Sequence, residues 1–410
     1  MNLESEKAVY EALKSVYSDG AFSTIVLNRV LKSAPLDNKA YITNLFYGVL
    51  EKSIQLDYII SQTAKEKPQN AVAVVLKIGL YLLRHSTTPD FAAVNKTVEL
   101  ARLVGKIGVE GFVNAVLRKS KEIKLPSTNT LHGLSVNASY PEWIIKKLTD
   151  DFDLDFAKAF VLYDKVIQTH IRPNTKNISK EKFEEKYPRM PKRATEFGYY
   201  VSHGLQKELQ KTDYIIQSLG SMRAIDYLVK GKQPKKILDL CAAPGGKSVL
   251  LKQLFPEAEI VACDIHSHRI ELIKKYADNV GVELTVKHND ARVLNEEFVD
   301  AFDIVLCDVP CSGIGVANKK PEIILRKSDD DVNNLSELQF KILSMASNYV
   351  KKGGRLGYST CTVFKTENDK VVEKFLKTHK SYAKDGDYLK LFPHIDHCDG
   401  FFASNMIRTK

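Results

Sequence analysis

From Lys235 onward, short apolar runs alternate with stretches of helical spacing, and this alternation constrains the fold more than any other feature of the sequence. The five runs, rich in β-branched and apolar residues as strands are, read KKILDL, EIVACD, ELTVKH, FDIVLCD and GRLGYST. Helical patterns separate most of them, near residues 247–254, 267–280, 337–350 and 366–379. Strands that alternate with helices form a mostly parallel sheet with helices on both faces. We therefore predict a doubly wound α/β domain over residues 234–410.

The part of the chain before this domain has a different pattern. Residues 1–125 repeat apolar positions at helical spacing and lack the alternation typical of strands, which predicts an all-helical domain. A polar stretch over residues 126–139 is predicted to be a linker. Residues 140–233 are predicted to form a small α+β segment, with a strand over residues 166–172.

Length, charge and cysteine usage narrow the possible classes of protein. A chain of 410 residues is too long for one ordinary core, so several domains are expected. The net charge of +10 is consistent with a polyanionic partner, and equally with a surface charge that only keeps the protein soluble. Basic residues are concentrated in residues 118–124 and 172–193, which are candidate phosphate-facing surfaces.

All six cysteines lie in the second half of the chain, and no two of them form a CxxC pair. We therefore expect a reducing cytoplasm, no disulfide scaffold and no metal site.

Neither export nor membrane attachment is expected. The N-terminal stretch MNLESEKAVYEAL is charged from its start and has no apolar segment typical of a signal peptide. The longest apolar run, residues 71–83, contains Lys77 and is too short to cross a bilayer. It is predicted to be a buried helix instead.

The stretch ILDLCAAPGGKS, residues 237–248, combines a strand, a glycine turn and the start of a helix. It is not a P-loop, because that motif needs a glycine five positions before Gly246, where Cys241 stands. A dinucleotide-binding GxGxxG is also absent from the sequence. The remaining interpretation is a turn whose glycines let the backbone approach a ligand, after a strand that carries Asp239.

Three aspartates follow three successive predicted strands: Asp239, Asp264 and Asp290. Alone, each is more typical of a cap or a turn. Together, an acid at the second strand suits the ribose hydroxyls and an acid at the third suits the adenine amine. An adenosine pocket without a pyrophosphate cradle fits S-adenosylmethionine, whose sulfonium also favours nearby carboxylates. The predicted cofactor-binding residues are Cys241, Ala242, Ala243, Pro244, Gly245, Gly246, Lys247, Asp264, Arg269, Asp290 and Asp308.

Two cysteine motifs, DVPCSG at residues 308–313 and YSTCT at residues 358–362, end the fourth and fifth strands. Carbon 5 of a pyrimidine is a poor nucleophile, but addition of a thiolate at carbon 6 lets it attack an electrophilic methyl group. An adjacent acid can hold the base and offset the developing charge. Two cysteines and an aspartate at adjacent strand ends are suited to this chemistry. Cys263 and Cys307 lie inside strands and are expected to be buried small hydrophobic residues instead.

Together with Glu367-Asn368 and the terminal DGFF at residues 399–402, these motifs resemble the RNA cytosine-5 methyltransferases of the Nop2/Sun family. The resemblance implies a class I, Rossmann-like methyltransferase domain. It also implies four catalytic residues: Cys361 as nucleophile, Cys311 as the residue that assists release, Asp308 in contact with the target cytosine, and Lys247 in the active site. Cys241 is expected to serve packing more than chemistry.

The resemblance extends upstream, through KIGLYLL at 77–83, AAVNKTVELAR at 92–102 and GFVNAVLRK at 111–119, which resemble the NusB-type helical RNA-binding domain. The combination is similar to bacterial small-subunit ribosomal RNA enzymes of the Sun or Fmu type. This similarity implies S-adenosylmethionine-dependent methylation of one cytosine of 16S ribosomal RNA, with residues 140–233 positioning the RNA. We expect a cytoplasmic monomer. Two alternatives stay open: a tRNA cytosine-5 methyltransferase and a catalytically inactive RNA-binding protein.

Overall fold

The computed structural model describes residues 3–105, 108–163, 169–188, 195 and 197–410. The chain divides into two compact units. The first unit comprises Met1–Leu162 and Ala317–Arg326, and the second comprises Tyr163–Val316 and Lys327–Lys410. The start of the predicted strand, residues 166–168, and the end of the second basic segment, residues 189–193, lie outside the described residues.

The described part of the first unit consists of helices and their connections. Its first ten α-helices are α1 Glu4–Ser18, α2 Ser23–Ser33, α3 Lys39–Glu51, α4 Ser53–Thr63, α5 Asn70–His85, α6 Asp90–Leu103, α7 Glu110–Ser120, α8 Leu131–Ala138, α9 Glu142–Asp151 and α10 Leu154–Leu162. Helix α5 is central, because it packs against α1, α3, α4, α6 and α7. Its residues Val75, Leu76, Ile78 and Leu80 are completely buried. No described helix is long and apolar enough to cross a membrane.

The predicted linker over residues 126–139 is wrong, since most of it forms α8. The Thr130 hydroxyl accepts a hydrogen bond from the Gly133 amide at 3.0 Å, which starts the helix. Gly133 also lets the chain pass close to Ser127, whose carbonyl oxygen would lie 1.8 Å from a Cβ at this position. Helix α8 packs against α4 and α9. The helical unit therefore continues to Leu162 and includes the start of the predicted α+β segment.

A segment from much later in the chain completes the first unit. Its helix α16, Glu322–Arg326, lies at the adjoining ends of α1 and α2. The Glu322 carboxylate accepts a hydrogen bond at 3.0 Å from the backbone N–H of Ser23, the first residue of α2. Arg326 donates to three carbonyl oxygens at and beyond the end of α1, those of Val16, Gly20 and Ala21. Backbone groups at helix ends lack partners within the helix, so this segment supplies them.

The second unit begins with a small antiparallel sheet in the order β2–β1–β3. Its elements are β1 Thr169–Pro173, α11 Lys180–Lys186, β2 Tyr199–Val201, α12 His203–Gln206 and β3 Tyr214–Ile216. The predicted strand ending in IRPN is thus present as β1. Helix α13, Leu219–Val229, leads from this sheet to the main one.

The main sheet has the strand order β10–β11–β8–β7–β4–β5–β6, with β9 paired to β11. Its strands are β4 Lys236–Asp239, β5 Glu259–Asp264, β6 Thr285–His288, β7 Phe302–Asp308, β8 Val350–Thr360, β9 Tyr382–Lys384, β10 Leu389–Leu391 and β11 Phe401–Arg408. The remaining helices are α14 Gly246–Leu254, α15 Ser267–Val280, α17 Asp329–Ala346, α18 Asp369–Thr378 and α19 Pro393–Asp396. Strands β4 to β8 are parallel and coincide with the five predicted strands, which confirms the Rossmann-like fold.

Two features of this sheet differ from the predicted pattern. Helix α17 starts at Asp329, earlier than residue 337, because Ser328 and Asp331 form a reciprocal capping box there. The C-terminal strand β11 runs antiparallel to β8, with Phe402 opposite Thr360. As expected, Cys263 and Cys307 are completely buried inside β5 and β7.

Candidate active site

The strand order changes direction between β4 and β7, since β5 lies beyond β4 on one side and β8 lies beyond β7 on the other. In open parallel sheets, ligands bind outside the carboxyl ends of the strands at such a switch point. The connections that leave the sheet at this edge include the glycine turn after β4, the DVPCSG loop after β7 and the TCT loop after β8.

The glycine turn is fixed by backbone hydrogen bonds. The Ala242 amide donates to the Cys263 carbonyl at 2.8 Å, and the Gly245 amide donates to the Ala242 carbonyl at 2.7 Å. Gly245 has a φ of +108°, a conformation that favours glycine, and it directly precedes α14. Burial raises the pKa of the Cys241 thiol, which packs on the apolar core of the sheet. This environment is typical of a packing residue rather than of a reactive thiol.

Asp239, at the end of β4, is only 1% exposed. Its Oδ2 accepts a hydrogen bond from the Ser248 hydroxyl at 2.6 Å, whereas its Oδ1 has no partner among the described residues. Burial raises the pKa of this carboxyl to about 6. A buried acceptor without a partner at a ligand crevice is an available site for a hydrogen-bond donor of the ligand.

Asp264 and Asp290 follow β5 and β6, as the sequence predicts. Asp264 is buried, accepts the His266 amide at 3.0 Å, and lies 3.8 Å from the guanidinium of Arg269. Asp290 is already engaged, because Arg292 donates to both of its oxygens, at 2.9 and 2.7 Å. The Arg292 hydrogen bonds hold the pKa of Asp290 at about 2. An adenine amine would therefore share or replace this arginine.

Sequence reasoning missed Asn289, which directly precedes Asp290. Its side chain is 7% exposed, and its Oδ1 accepts from Asn295 at 3.0 Å. Its Nδ2 is buried without a partner among the described residues, so it offers a donor at the end of β6. The residue type alone gives no signal, since asparagine is common in turns.

Lys247 joins the glycine turn to the ends of β7 and β8. Its Nζ lies 2.5 Å from Asp308 Oδ2, while the Ser359 hydroxyl donates to Asp308 Oδ1 at 2.8 Å. Burial acts to lower the pKa of Lys247, but the Asp308 carboxylate outweighs it and the pKa is raised. The lysine therefore stays protonated and holds the aspartate in one orientation. Its ammonium also lies 5.1 Å from the centre of the Phe401 ring.

The two predicted catalytic cysteines lie together, with 3.2 Å between Cys311 Sγ and Cys361 Sγ. Strands β7 and β8 are paired in parallel with Asp308 opposite Ser359, so the loops that follow them leave the sheet side by side. The hydrogen bond to Cys361, followed by burial, raises the pKa of the Cys311 thiol. Two thiols this close do not both ionise, because a negative charge on one disfavours a negative charge on the other.

A buried carboxylate ties the two cysteine loops together. Glu367 is completely buried and accepts hydrogen bonds from the Ser312 amide at 2.8 Å, the Ser312 hydroxyl at 2.5 Å and the Gln339 amide at 2.9 Å. Gln339 also donates to the Pro310 carbonyl at 3.0 Å. Burial raises the pKa of Glu367. The sequence motif indicated Glu367, but nothing in the polar helix pattern around Gln339 pointed to its role.

A close approach of two glycines fixes the backbone of Cys361. The Gly315 amide donates to the Cys361 carbonyl at 3.1 Å, and the Gly400 amide donates to the Gly315 carbonyl at 2.8 Å. A Cβ on Gly315 would lie 2.3 Å from the Gly400 oxygen and 2.8 Å from the Cys361 oxygen. This contact explains the glycine of the terminal DGFF motif.

The interpretation of Arg172 as part of a phosphate-facing surface is wrong, because its side chain is 2% exposed. Its Nε donates to Gln217 Oε1 at 2.7 Å, and its Nη1 bonds Gln253. Gln217 in turn donates to the carbonyl of Gly246 at 3.4 Å. Burial lowers the pKa of Arg172 to about 10, so it stays charged at neutral pH. This arginine supports the glycine turn.

A Rossmann-like sheet with a glycine turn and acids at successive strand ends is the arrangement expected of an S-adenosylmethionine-dependent methyltransferase. A family model described as 16S rRNA methyltransferase RsmB/F matches residues 227–407, and the NusB family matches residues 4–122. A Bacillus subtilis (strain 168) protein called probable ribosomal RNA small subunit methyltransferase B is 32% identical, covering 97% of both chains. The chain therefore belongs to the RsmB/F family of 16S rRNA methyltransferases, with an N-terminal NusB domain.

Other known proteins are similar along most of the chain. The ribosomal RNA small subunit methyltransferase B of Photorhabdus laumondii is 28% identical, covering 99% of both chains. The crystal structure of a protein called PH0851 has a TM-score of 0.81 at 23% identity, covering 100% of this chain and 99% of that one. A methyltransferase homologue from Pyrococcus horikoshii has a TM-score of 0.58 at 21% identity, covering 69% of this chain and 100% of its own. These two structures share the fold.

Proposed function

We propose that this protein methylates carbon 5 of one cytosine in 16S ribosomal RNA through a covalent cysteine–cytosine intermediate. Family membership already gives S-adenosylmethionine-dependent methylation of ribosomal RNA. The observation that carries the finer proposal is the pair of thiols 3.2 Å apart, Cys311 and Cys361, at the ends of adjacent strands. Asp308, which forms an ion pair with Lys247, is the last residue of β7, the strand that precedes Cys311.

The residues at the switch point suit the cofactor. Asp264 would accept hydrogen bonds from the ribose hydroxyls, and Asp290 would accept one from the adenine amine. The unpartnered Oδ1 of Asp239 and Nδ2 of Asn289 fit the polar groups of such a ligand. The proposed cofactor-binding residues are these four together with Cys241, Ala242, Ala243, Pro244, Gly245, Gly246, Lys247, Arg269 and Asp308. When bound, the cofactor supplies an electrophilic methyl group on a sulfonium.

In the first step, the Cys361 thiolate adds to carbon 6 of the cytosine and forms an S–C bond. The electron pair released onto carbon 5 would take the methyl group that the bound cofactor would supply, with the cofactor's neutral thioether as the leaving group. Asp308 holds the base at N3 or at its amine and offsets the developing charge. Lys247 keeps Asp308 in place through their 2.5 Å contact.

In the second step, Cys311, after losing its own proton to solvent, accepts the proton of carbon 5 as a thiolate. The electron pair of that C–H bond re-forms the double bond between carbons 5 and 6, and the bond from carbon 6 breaks with its electron pair going to the sulfur of Cys361. The hydrogen bond to Cys361 is the main cause of the raised pKa of Cys311. Once Cys361 is bonded to the base, its sulfur carries no charge and no proton. The hydrogen bond that raised the pKa of Cys311 is therefore lost. Cys311 then ionises more readily, at the stage when a base is needed.

The RNA surface is proposed from charge and exposure. The target base must leave its stack to reach a thiol, so the substrate is a loop or partly unfolded RNA. The exposed bases of segment 118–124 in the NusB domain, including Arg118 and Lys119, would contact the backbone. The β1–β3 sheet would position the RNA. The proposal includes action as a monomer in the cytoplasm.

The reaction is tested by methyl transfer from labelled S-adenosylmethionine to naked 16S RNA, with tRNA and 23S RNA in parallel. The expected result is label on one cytosine of 16S RNA, mapped as 5-methylcytosine. Label in tRNA alone would keep the chemistry and overturn the substrate. Label on a ring nitrogen or a ribose oxygen would refute the thiol mechanism.

The roles of the two thiols are tested by separate variants. Replacing Cys361 with alanine should lower turnover roughly a thousandfold or more, because no other group can form the bond to carbon 6. Replacing Cys311 with alanine should leave the methylated base attached to Cys361, seen as an RNA-shifted protein band on a denaturing gel. The control is Cys398→Ala, which removes a buried thiol of the same unit outside the pair. A band with the Cys361 variant and none with the Cys311 variant would reverse the roles.

A further inference from the structure

A cavity of about 580 Å³ opens in the first unit beside the end of α1, the helix α4 and the first turns of α5. Its lining includes Tyr17, Asp57, Ile60, Lys65, Lys67 and Lys77. All of these residues belong to the NusB domain. The volume lies within the usual range for pockets that bind small ligands.

An ion pair between a buried lysine and an exposed aspartate forms part of the cavity wall. The Lys77 side chain is 9% exposed, and its ammonium lies 2.8 Å from the Asp57 carboxylate and 2.8 Å from the Ser53 hydroxyl. The same ammonium lies 4.3 Å from the centre of the Tyr17 ring. The Asp57 side chain is 56% exposed, so its carboxylate remains accessible to a ligand.

We infer that this cavity binds a guanine nucleotide in a single-stranded part of the RNA substrate. The inference rests on the proposed function for RNA as the ligand. The pairing edge of guanine presents O6, an acceptor, beside two N–H donors. A Lys77 ammonium next to an Asp57 carboxylate is the matching arrangement, with the carboxylate accepting both N–H groups. Adenine and cytosine offer the carboxylate only their amine on this edge, and uracil only N3–H.

The rest of the cavity suits the other parts of a nucleotide. Ile60 and Val74 are buried apolar residues of the lining, suited to the face of a base. Lys65 and Lys67 are exposed on the connection before α5, where they can meet a phosphate. Asn70, the first residue of this sixteen-residue helix, also lines the cavity. The amides at a helix N-terminus favour the same negative charge.

The test measures binding of four 5′-phosphorylated pentanucleotides to the full chain: UUGUU, UUAUU, UUCUU and UUUUU. The guanine oligomer should bind about tenfold more tightly than the others, since two charge-assisted hydrogen bonds are at stake. Replacing Asp57 with alanine should remove this preference. Asp37→Ala removes an exposed carboxylate of the same unit outside the cavity, and should preserve it. Equal affinities for the four oligomers, or a preference that survives Asp57→Ala, would overturn the inference.

A second variant keeps the test decisive if Asp57→Ala does not fold. Replacing Lys65 and Lys67 together with glutamine changes only exposed side chains. This double variant should bind all four oligomers more weakly, by about the same factor, and should keep the preference for guanine. No change in affinity would refute the phosphate contact. Guanosine monophosphate is then added to displace bound UUGUU. If it binds as tightly as UUGUU does, the cavity is a site for a free nucleotide instead of RNA.

Methyl transfer by the unaltered protein separates this inference from the proposed function. Label in 16S RNA without any guanine preference would refute the cavity assignment alone. A guanine preference that Asp57→Ala abolishes, without label in any RNA, would overturn the proposed reaction and leave the cavity assignment standing.

Discussion

Replacing Asp239 with asparagine should stabilise the second unit near neutral pH but not at pH 4. Asp239 is 1% exposed, and burial raises its pKa from the ordinary 3.8 to about 6. The folded state therefore holds this proton more tightly than the unfolded chain does. The resulting stabilisation is complete below pH 3.8 and is lost as the pH rises through about 6. At pH 7 the folded protein carries a buried charge that asparagine does not have.

The size of the effect follows from the two pKa values. A difference from 3.8 to about 6 corresponds to about 3 kcal/mol of unfolding free energy, at 1.36 kcal/mol for each pKa unit. Asparagine has nearly the same shape and can still accept the Ser248 hydrogen bond. At pH 4 the unfolded carboxyl is already partly ionised, so the stability of Asp239→Asn relative to the unaltered protein should increase by about 2.5 kcal/mol between pH 4 and pH 7.

The assay must report on the second unit alone. Cys263 and Cys307 are completely buried in its sheet, so their reaction with dithiodipyridine in urea measures opening of that sheet. The control is Asp303→Asn, because hydrogen bonds from Lys351 and two backbone amides lower the pKa of Asp303 despite its partial burial. The stability of Asp303→Asn relative to the unaltered protein should therefore decrease as the pH rises, which is the opposite direction to Asp239→Asn. An equal effect of Asp239→Asn at both pH values, or destabilisation at pH 7, would refute the reasoning.

Three further changes test the geometry of the site. Lys247→Met removes the partner of Asp308 and should lower single-turnover methyl transfer about a hundredfold, while a wild-type rate would exclude a role for the pair. Gly315→Ala places a Cβ 2.3 Å from the Gly400 oxygen, so melting temperature and turnover should both fall; unchanged values would show that the loop adapts. Glu367→Ala leaves the three hydrogen bonds to this side chain without their buried acceptor and should destabilise the second unit by about 2–3 kcal/mol, measured by the same thiol labelling. Equal labelling free energies would refute it.

The sequence predicted the parallel strands because their signals are local. Each of β4 to β8 is a short apolar run followed by a turn, and the carboxyl ends of parallel strands meet at one edge of the sheet. For this reason the order of motifs along the chain was enough to expect Cys311, Cys361 and Asp308 near one another. Their distances were not predictable, since they depend on how neighbouring strands align.

The features that the sequence did not predict depend on distant partners. Arg172 looked like a surface base, and only the fold buries it against Gln217 and Gln253. Helix α8 lies in a polar stretch and needs α4 and α9 to cover its apolar side. Strand β11 pairs antiparallel with β8, which lies some forty residues earlier, and no local pattern specifies that pairing.

The late segment Ala317–Arg326 has a consequence for synthesis of the protein. Helices α1 and α2 leave the ribosome early, but Glu322 and Arg326, which bind their adjoining ends, are translated only after most of the second unit. At ordinary elongation rates this delay is roughly fifteen to sixty seconds. During that time the NusB domain is incomplete, with the backbone groups that this segment will bind still open to water. An enzyme that modifies ribosomal RNA thus finishes its own RNA-binding domain only when its catalytic domain is already partly translated, before strand β8 and Cys361 are made.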